Sequence, residues 1–314
     1  DNTPRETELA IDVRLQCVDN IIDLVGNTPM LRLCNMDRCV YGKAEFLNPA
    51  GSVKDRVAKY LVEQAEVSGE LKPGATIVEA TSGNTGIAVA FVAKLKGYPC
   101  IICMPSDMSD ERKKIIRALG AELVETPAKD SIAGACAKAD ELHAQMAGSF
   151  LLGQFKNPNN PKIHYLTTAA EIWEQMDGKV DGFAAGIGSG GTLTGVGQFL
   201  RERNPDVVIA AVEPKNSAAL LGHEPGFHVI QGIGDGFIPP VLDVDLIDEV
   251  ITVSDDDAIN TTRSLASLQG ALVGTSSGAN VWAAMQLARK LGDRSNVVTV
   301  LPDRAERYFS TSLL

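Results

Sequence analysis

VDGFAAGIGSGGTLTGVGQFLRER, residues 180–203, carries three signals in one short run. An apolar, strand-like run (VDGFAAGI) gives way to the glycine-rich loop GIGSGGT (186–192). That loop opens directly into TLTGVGQFLRER, a helical pattern. Strand, glycine loop and helix in that order form the unit of a doubly wound α/β sheet, because a parallel strand needs a crossover to return. The unit recurs. ATIVEA (75–80), TSGNTG (81–86) and IAVAFVAKLKG (87–97) repeat it, and YPCIICMP (98–105) leads into SDERKKIIRALG (109–120), with Ser109 or Asp110 as cap and Gly120 past the end. AELVET precedes SIAGACAKADELHAQM, and later come DVVIAAVEP, LVGTSSGANVWAAMQLARKLG and SNVVTVLPD. Continuous apolar runs of this kind belong to parallel strands covered on both faces. The units fall into two clusters. The expected architecture is therefore two doubly wound, mostly parallel sheets with the active site between them, at the carboxyl ends of strands. A large domain would comprise 1–47 plus 153–314, and a smaller one 48–152.

The bulk properties exclude several classes. The chain has 314 residues and a net charge of -11, which argues against nucleic acid, whose phosphates need clustered Lys and Arg. No stretch approaches the ~20 apolar residues of a membrane helix. The N-terminus, DNTPRETELAID, lacks the basic-then-apolar pattern of a signal peptide, so a cytoplasmic protein is expected. Cys100 and Cys103 read as buried thiols on a strand, Cys34 and Cys39 lack neighbours at zinc spacing, and Cys17 and Cys136 stand alone. All six are expected to be reduced. Asp255–Asp257 read as a helix-capping acidic cluster, and no metal site is expected. His143 and His164 read as structural, His223 and His228 as exposed.

Three loops suit an anion. In the first, Gly186, Gly188 and Gly191 let backbone amides close around a phosphate at a helix start. They also satisfy G-x-G-x-x-G, with Glu213 ending the next strand, so an NAD-dependent oxidoreductase is a rival reading. The second, TSGNTG, holds Thr81, Ser82, Asn84 and Thr85 among two glycines, more side-chain polarity than one cap requires, and suits a carboxylate or phosphate. The third, GTSSGA (274–279), places Ser276 and Ser277 ahead of another helix. A lysine, Lys54, follows the turn in FLNPAGSVKDR (46–56). A phosphate at one end, a carboxylate near the other and a lysine between them describe pyridoxal phosphate held as a Schiff base with an amino acid substrate.

With those loops in hand, the chain resembles the cysteine synthase and cystathionine β-synthase family of pyridoxal-phosphate enzymes, fold type II. The likeness runs from VGNTPMLRL (25–33) to PDRAERYFST (302–311), and NPAGSVKDR, TSGNTGIA, GQFKNPNNPKIHY, GIGSGGTLTG, IQGIGDGFIP and GTSSGA carry it. The resemblance implies that Lys54 forms the imine with the cofactor and later moves the Cα proton. It gives Asn84 the cofactor's ring oxygen, Gly188, Ser189, Gly190, Gly191 and Thr192 its phosphate, and Ser276 its pyridine nitrogen. Thr81, Ser82, Gly83, Asn84, Thr85 and Gln154, with Gly234, would take the substrate. The implied reaction is β-replacement: O-acetyl-L-serine and sulfide give L-cysteine through an aminoacrylate intermediate. The family further implies a homodimer and allows a complex with serine acetyltransferase. Neither the haem segment nor the regulatory extension of animal cystathionine β-synthase is expected, although that activity remains an alternative. Ala80 stands where the family usually has proline, and Ser189 replaces its usual threonine. Asp235 stands where sulfhydrylases carry a small neutral residue, so it is a candidate base toward water. Such a base would favour cysteine breakdown to serine and sulfide.

Overall fold

A computed structural model describes residues 17–311 and Leu313. The acidic N-terminal stretch read above as free of a signal sequence lies outside them. The chain opens with an antiparallel pair, β1 (Met30–Leu33) and β2 (Val40–Lys43), and enters α1 (Lys54–Ser68). There follow β3 (Ile77–Ala80), α2 (Asn84–Lys96), β4 (Cys100–Pro105), α3 (Asp110–Ala118), β5 (Glu122–Thr126), α4 (Ser131–Gln145) and β6 (Phe150–Leu151). One long helical stretch comes next, α5 (Asn159–Ile163), a π-helical turn and α6 (Ala169–Gln175). The remainder is β7 (Gly182–Gly186), α7 (Gly191–Arg203), β8 (Val208–Pro214), β9 (Glu249–Val253), α8 (Asp255–Gln269), α9 (Thr275–Leu291) and β10 (Val297–Val300).

Two sheets result, as the clustering of units predicts. The smaller is parallel throughout, in the order β5-β4-β3-β6, and the larger runs β1-β2-β10-β7-β8-β9, parallel except for the first pair. Both are covered on two faces, which is why β3, β4 and β10 are buried at every residue and mostly apolar, with Glu79 and Thr299 as buried polar exceptions. The helix α2 is buried nearly all round and stops at Gly97, whose φ of 78° suits glycine at a helix end. Ser254 caps α8 by accepting a hydrogen bond from the Asp257 amide, and Asp255, Asp256 and Asp257 occupy its first turn, the capping role expected of that run.

A buried ionic cluster fastens α1 to the large sheet. Arg56 is paired with Glu45 at 2.8 Å and with Glu171 at 2.6 Å, and Lys43 reaches Glu171 at 2.7 Å. Two sequence expectations need correction. Cys34 and Cys39 form a disulfide rather than two free thiols: β1 and β2 are antiparallel, so the residues just beyond their ends meet across the turn, with Cα atoms 4.2 Å apart. His228 is half-buried rather than exposed, because its Nε2 packs 3.0 Å from the Gly234 carbonyl. Cys100 and Cys103 are buried free thiols as expected, and His223 is exposed.

Candidate active site

Lys54 is the first residue of α1, and the chemistry begins with how it is placed. The Asn48–Gly51 turn is clamped from below by Asp55, whose carboxylate accepts a hydrogen bond from the Ala50 amide at 2.7 Å. Ser52 accepts from the Lys54 amide at 3.2 Å and forms a bridge to Asp303. The lysine side chain is thereby aimed across a cleft between the two sheets, where its Nζ lies 3.3 Å from the Ser189 hydroxyl. Burial lowers the ammonium pKa from 10.5 to about 8, with Asp235 pulling in the opposite direction.

Opposite Lys54 is the glycine loop between β7 and α7. The first amides of a helix have no partner within it and carry the positive end of its dipole. Gly190 and Gly191 stand at that end, and the cleft is lined by Gly188, Ser189, Gly190 and Thr192. The approach is tight: a Cβ on Gly191 would lie 2.0 Å from Asn160 Oδ1. Asn160 is itself buried and donates to Ser189 Oγ and to the Gln154 carbonyl, both at 2.9 Å. Thr192 Oγ1 lies 3.3 Å from Nε2 of the buried His164, so this histidine, structural in the sequence reading, braces the loop. Burial drives its pKa well below the ordinary value and keeps it neutral.

The TSGNTG loop forms another wall. Thr81, Ser82, Asn84 and Thr85 all line the cleft, and Thr85 donates to Gln154 Oε1 at 2.7 Å. Gly83 lies between them, and its amide donates to Thr81 Oγ1. The third wall holds Ser276, in the first turn of α9, beside Asn280. Asn280 accepts from the Gly186 amide and donates to the Val300 carbonyl, each at 2.8 Å, so it staples α9 to the ends of β7 and β10. Asp235 also lines the cleft, while Gly234 lies just outside it, lining the adjoining cavity that Asp235 shares. Burial raises the Asp235 carboxyl pKa, offset by Lys54 and His228.

The residues suit pyridoxal phosphate: a desolvated amine, a helix start with glycines where side chains would clash, and polar atoms left waiting. Asn84 Oδ1 is buried without a hydrogen-bond partner among the described residues. The dinucleotide reading fails on Glu213, which turns away to accept the Leu220 amide at 3.1 Å. The sequence reading gave no site role to Asn160, Asn280, Arg112 or Asp303, although Asn160 lies in GQFKNPNNPKIHY and Asp303 in PDRAERYFST, stretches that belong to the likeness.

A family of pyridoxal-phosphate dependent enzymes matches residues 21–303. A cysteine synthase of Staphylococcus aureus is 49% identical over 301 residues, spanning 94% of this chain and 97% of that one. The O-acetylserine-dependent cystathionine β-synthase of Helicobacter pylori superposes with a TM-score of 0.91 at 42% identity, covering 95% of this chain and 99% of the other. A hydrogen sulfide-producing enzyme of Fusobacterium nucleatum does so at 0.90 and 38%, covering 93% and 100%. With a cleft lysine facing a glycine-built helix start, and relatives of this likeness along almost its whole length, the chain belongs to the pyridoxal-phosphate dependent enzymes of the cysteine synthase type.

Proposed function

We propose that this enzyme forms L-cysteine and acetate from O-acetyl-L-serine and sulfide. The observation that carries the reading is the partly buried Lys54 amine held 3.3 Å from Ser189 at the start of α7. Gly188 to Thr192 would hold the cofactor's phosphate, Asn84 its ring oxygen, Ser276 its ring nitrogen and Lys54 its aldehyde carbon. Bound there, pyridoxal phosphate supplies an electron sink for negative charge at the substrate Cα. Thr81, Ser82, Gly83, Thr85 and Gln154 bind the substrate carboxylate through amides and hydroxyls. Lys54, with its lowered pKa, takes the Cα proton as a base near neutral pH. Acetate leaves the β-carbon and sulfide takes its place. The neutral Ser276 hydroxyl would not hold a proton on the ring nitrogen as a carboxylate would, which favours β-chemistry over transamination. The domain of residues 48–152 closes over the substrate and excludes water. The family resemblance supports a homodimer, and a complex with serine acetyltransferase is consistent with it.

The test is direct. Purified protein supplied with pyridoxal phosphate should show a visible absorption band and convert O-acetyl-L-serine and sulfide to L-cysteine, and Lys54→Ala should lose both. A wild-type protein that stays colourless with added cofactor overturns the proposal.

Asp235 favours a second reading of the same site. A carboxylate facing Lys54 disfavours anionic hydrosulfide and can activate water, turning L-cysteine and water into L-serine and sulfide. Feeding L-cysteine alone and assaying serine and sulfide decides it, and unchanged sulfide release by Asp235→Ala sinks it.

A further inference from the structure

At the floor of the cleft lies a buried polar cluster in which the proposed reaction gives a part only to Asn84. Asp303 is fully buried, just past β10. Its Oδ2 accepts the Asn84 amide at 2.7 Å and the Tyr308 hydroxyl at 2.7 Å, and lies 3.7 Å from the Arg112 guanidinium. Arg112, only 1% exposed, stacks 4.7 Å over the Tyr308 ring and donates to Ser109 and Gln231. Its stem lies so close behind the TSGN turn that a Cβ on Gly83 would meet Arg112 Cδ at 2.3 Å. The backbone of Asp303 is bound as firmly: it bridges Ser52, two residues before Lys54, and its carbonyl accepts the Gly274 amide at 3.1 Å, two residues before Ser276. Gly274 has no room for a side chain, because a Cβ there would lie 2.2 Å from Asp303 Oδ1.

We infer that Asp303 is a positioning residue: its carboxylate grips Asn84 of α2 and Arg112 of α3, while its backbone holds the segments bearing Lys54 and Ser276. The atoms left unpartnered support this. Asn84 Oδ1, Arg112 Nε and Asp303 Oδ1 are all buried without a hydrogen bond among the described residues. Because Asp303 engages the Asn84 nitrogen, the amide cannot turn freely, and its remaining capacity is fixed in direction toward the cleft it lines. The buried guanidinium, in turn, helps to hold the carboxylate in place, since a buried charge needs its partner. An asparagine at 303 preserves the shape and one acceptor oxygen for Asn84 and Tyr308, but it does not neutralise Arg112.

The inference rests on the cleft being the cofactor site, and the two fail differently. A colourless wild type removes the site itself, whereas the inference is tested on coloured protein. Asp303→Asn should shift the visible absorption maximum of the holoenzyme and raise KM for O-acetyl-L-serine about tenfold, the size of coupling expected between groups in contact. The discriminating measurement is a cycle with Asn84→Ala. If Asp303 acts through Asn84, adding Asp303→Asn to Asn84→Ala changes the spectrum and KM less than about twofold. Multiplicative effects, or a wild-type spectrum and KM for Asp303→Asn, overturn the inference. Thermal melting is followed throughout. If Asp303→Asn does not fold, Asp303→Glu, which keeps the charge and moves it by one methylene, enters the same cycle under the same criterion.

Discussion

The amine of Lys54 is governed by two opposed effects. Leaving water disfavours the ammonium and dominates, bringing the pKa from 10.5 to about 8, while the neighbouring Asp235 carboxylate favours the ammonium and limits the fall. The sign of a substitution follows. Asp235→Asn removes the attraction and leaves the burial, so the proton should leave Lys54 at still lower pH. The rate at which an amine-selective acylating reagent modifies Lys54 in apoprotein, followed peptide by peptide by mass spectrometry, should rise through a midpoint near 8. The midpoint should move down in Asp235→Asn. A midpoint near 10.5, the ordinary lysine value, or an upward move in the variant, would contradict this account. At this scale the sequence was informative about identity and silent about environment. Lys54 and Asp235 stand out from their local motifs, but that each tunes the other depends on residues 54 and 235 meeting across a cleft.

At the scale of elements, the glycine loop and the helix it opens act as one rigid cradle, and its glycines are not interchangeable. A methyl group at position 191 would lie 2.0 Å from Asn160 Oδ1, and Asn160 orients both Ser189 and the Gln154 carbonyl. Gly191→Ala should therefore weaken pyridoxal phosphate binding at least about tenfold, as displaced hydrogen-bonded groups of this kind each cost ~1–3 kcal/mol. Gly197→Ala on the same helix is the control. The nearest atoms to its Cβ lie 3.6 Å away, an ordinary contact, so alanine there should leave binding intact and stabilise the helix by roughly 0.5–1 kcal/mol. Titration of both apoproteins with cofactor, read from the visible band, separates them; equal affinities would show that the cradle yields. The loop itself was legible because strand, glycines and helix are adjacent in sequence. Asn160 and Asp303 were not, since their partners Ser189 and Asn84 stand 29 and 219 residues away. The Cys34–Cys39 bridge escaped for another reason: a search for zinc spacing does not test whether two strands turn back on each other.

The two sheets were foreseeable from the clustering of βα units, while β1, β2 and β9 were not read out of the sequence, being short strands with weak patterns, β1 and β9 at the sheet edges. The sheet edges matter less to the whole molecule than a carboxylate buried in the middle of one. Glu79 lies on β3, 2% exposed, and accepts the Gly153 amide at 2.7 Å, which sets the turn that carries Gln154 into the cleft. Burial raises its pKa from 4.5 to about 8, with the Gly153 and Gln154 amides opposing the shift. Below the unfolded value the carboxyl is neutral in both states. Between 4.5 and about 8 the unfolded chain releases the proton and the folded chain keeps it, so stability drains away as pH rises, by at most about 1.4 kcal/mol per pH unit from this group. Above about 8 both states are ionised and the loss levels off. Glu79→Gln keeps an oxygen for the Gly153 amide and cannot titrate. Its melting temperature relative to wild type should therefore climb with pH across that window and then hold steady. A difference that stays flat over the whole range would mean that Glu79 is ionised in the folded protein at neutral pH, and that the amides of 153 and 154 hold a charged strut between the small sheet and the substrate loop.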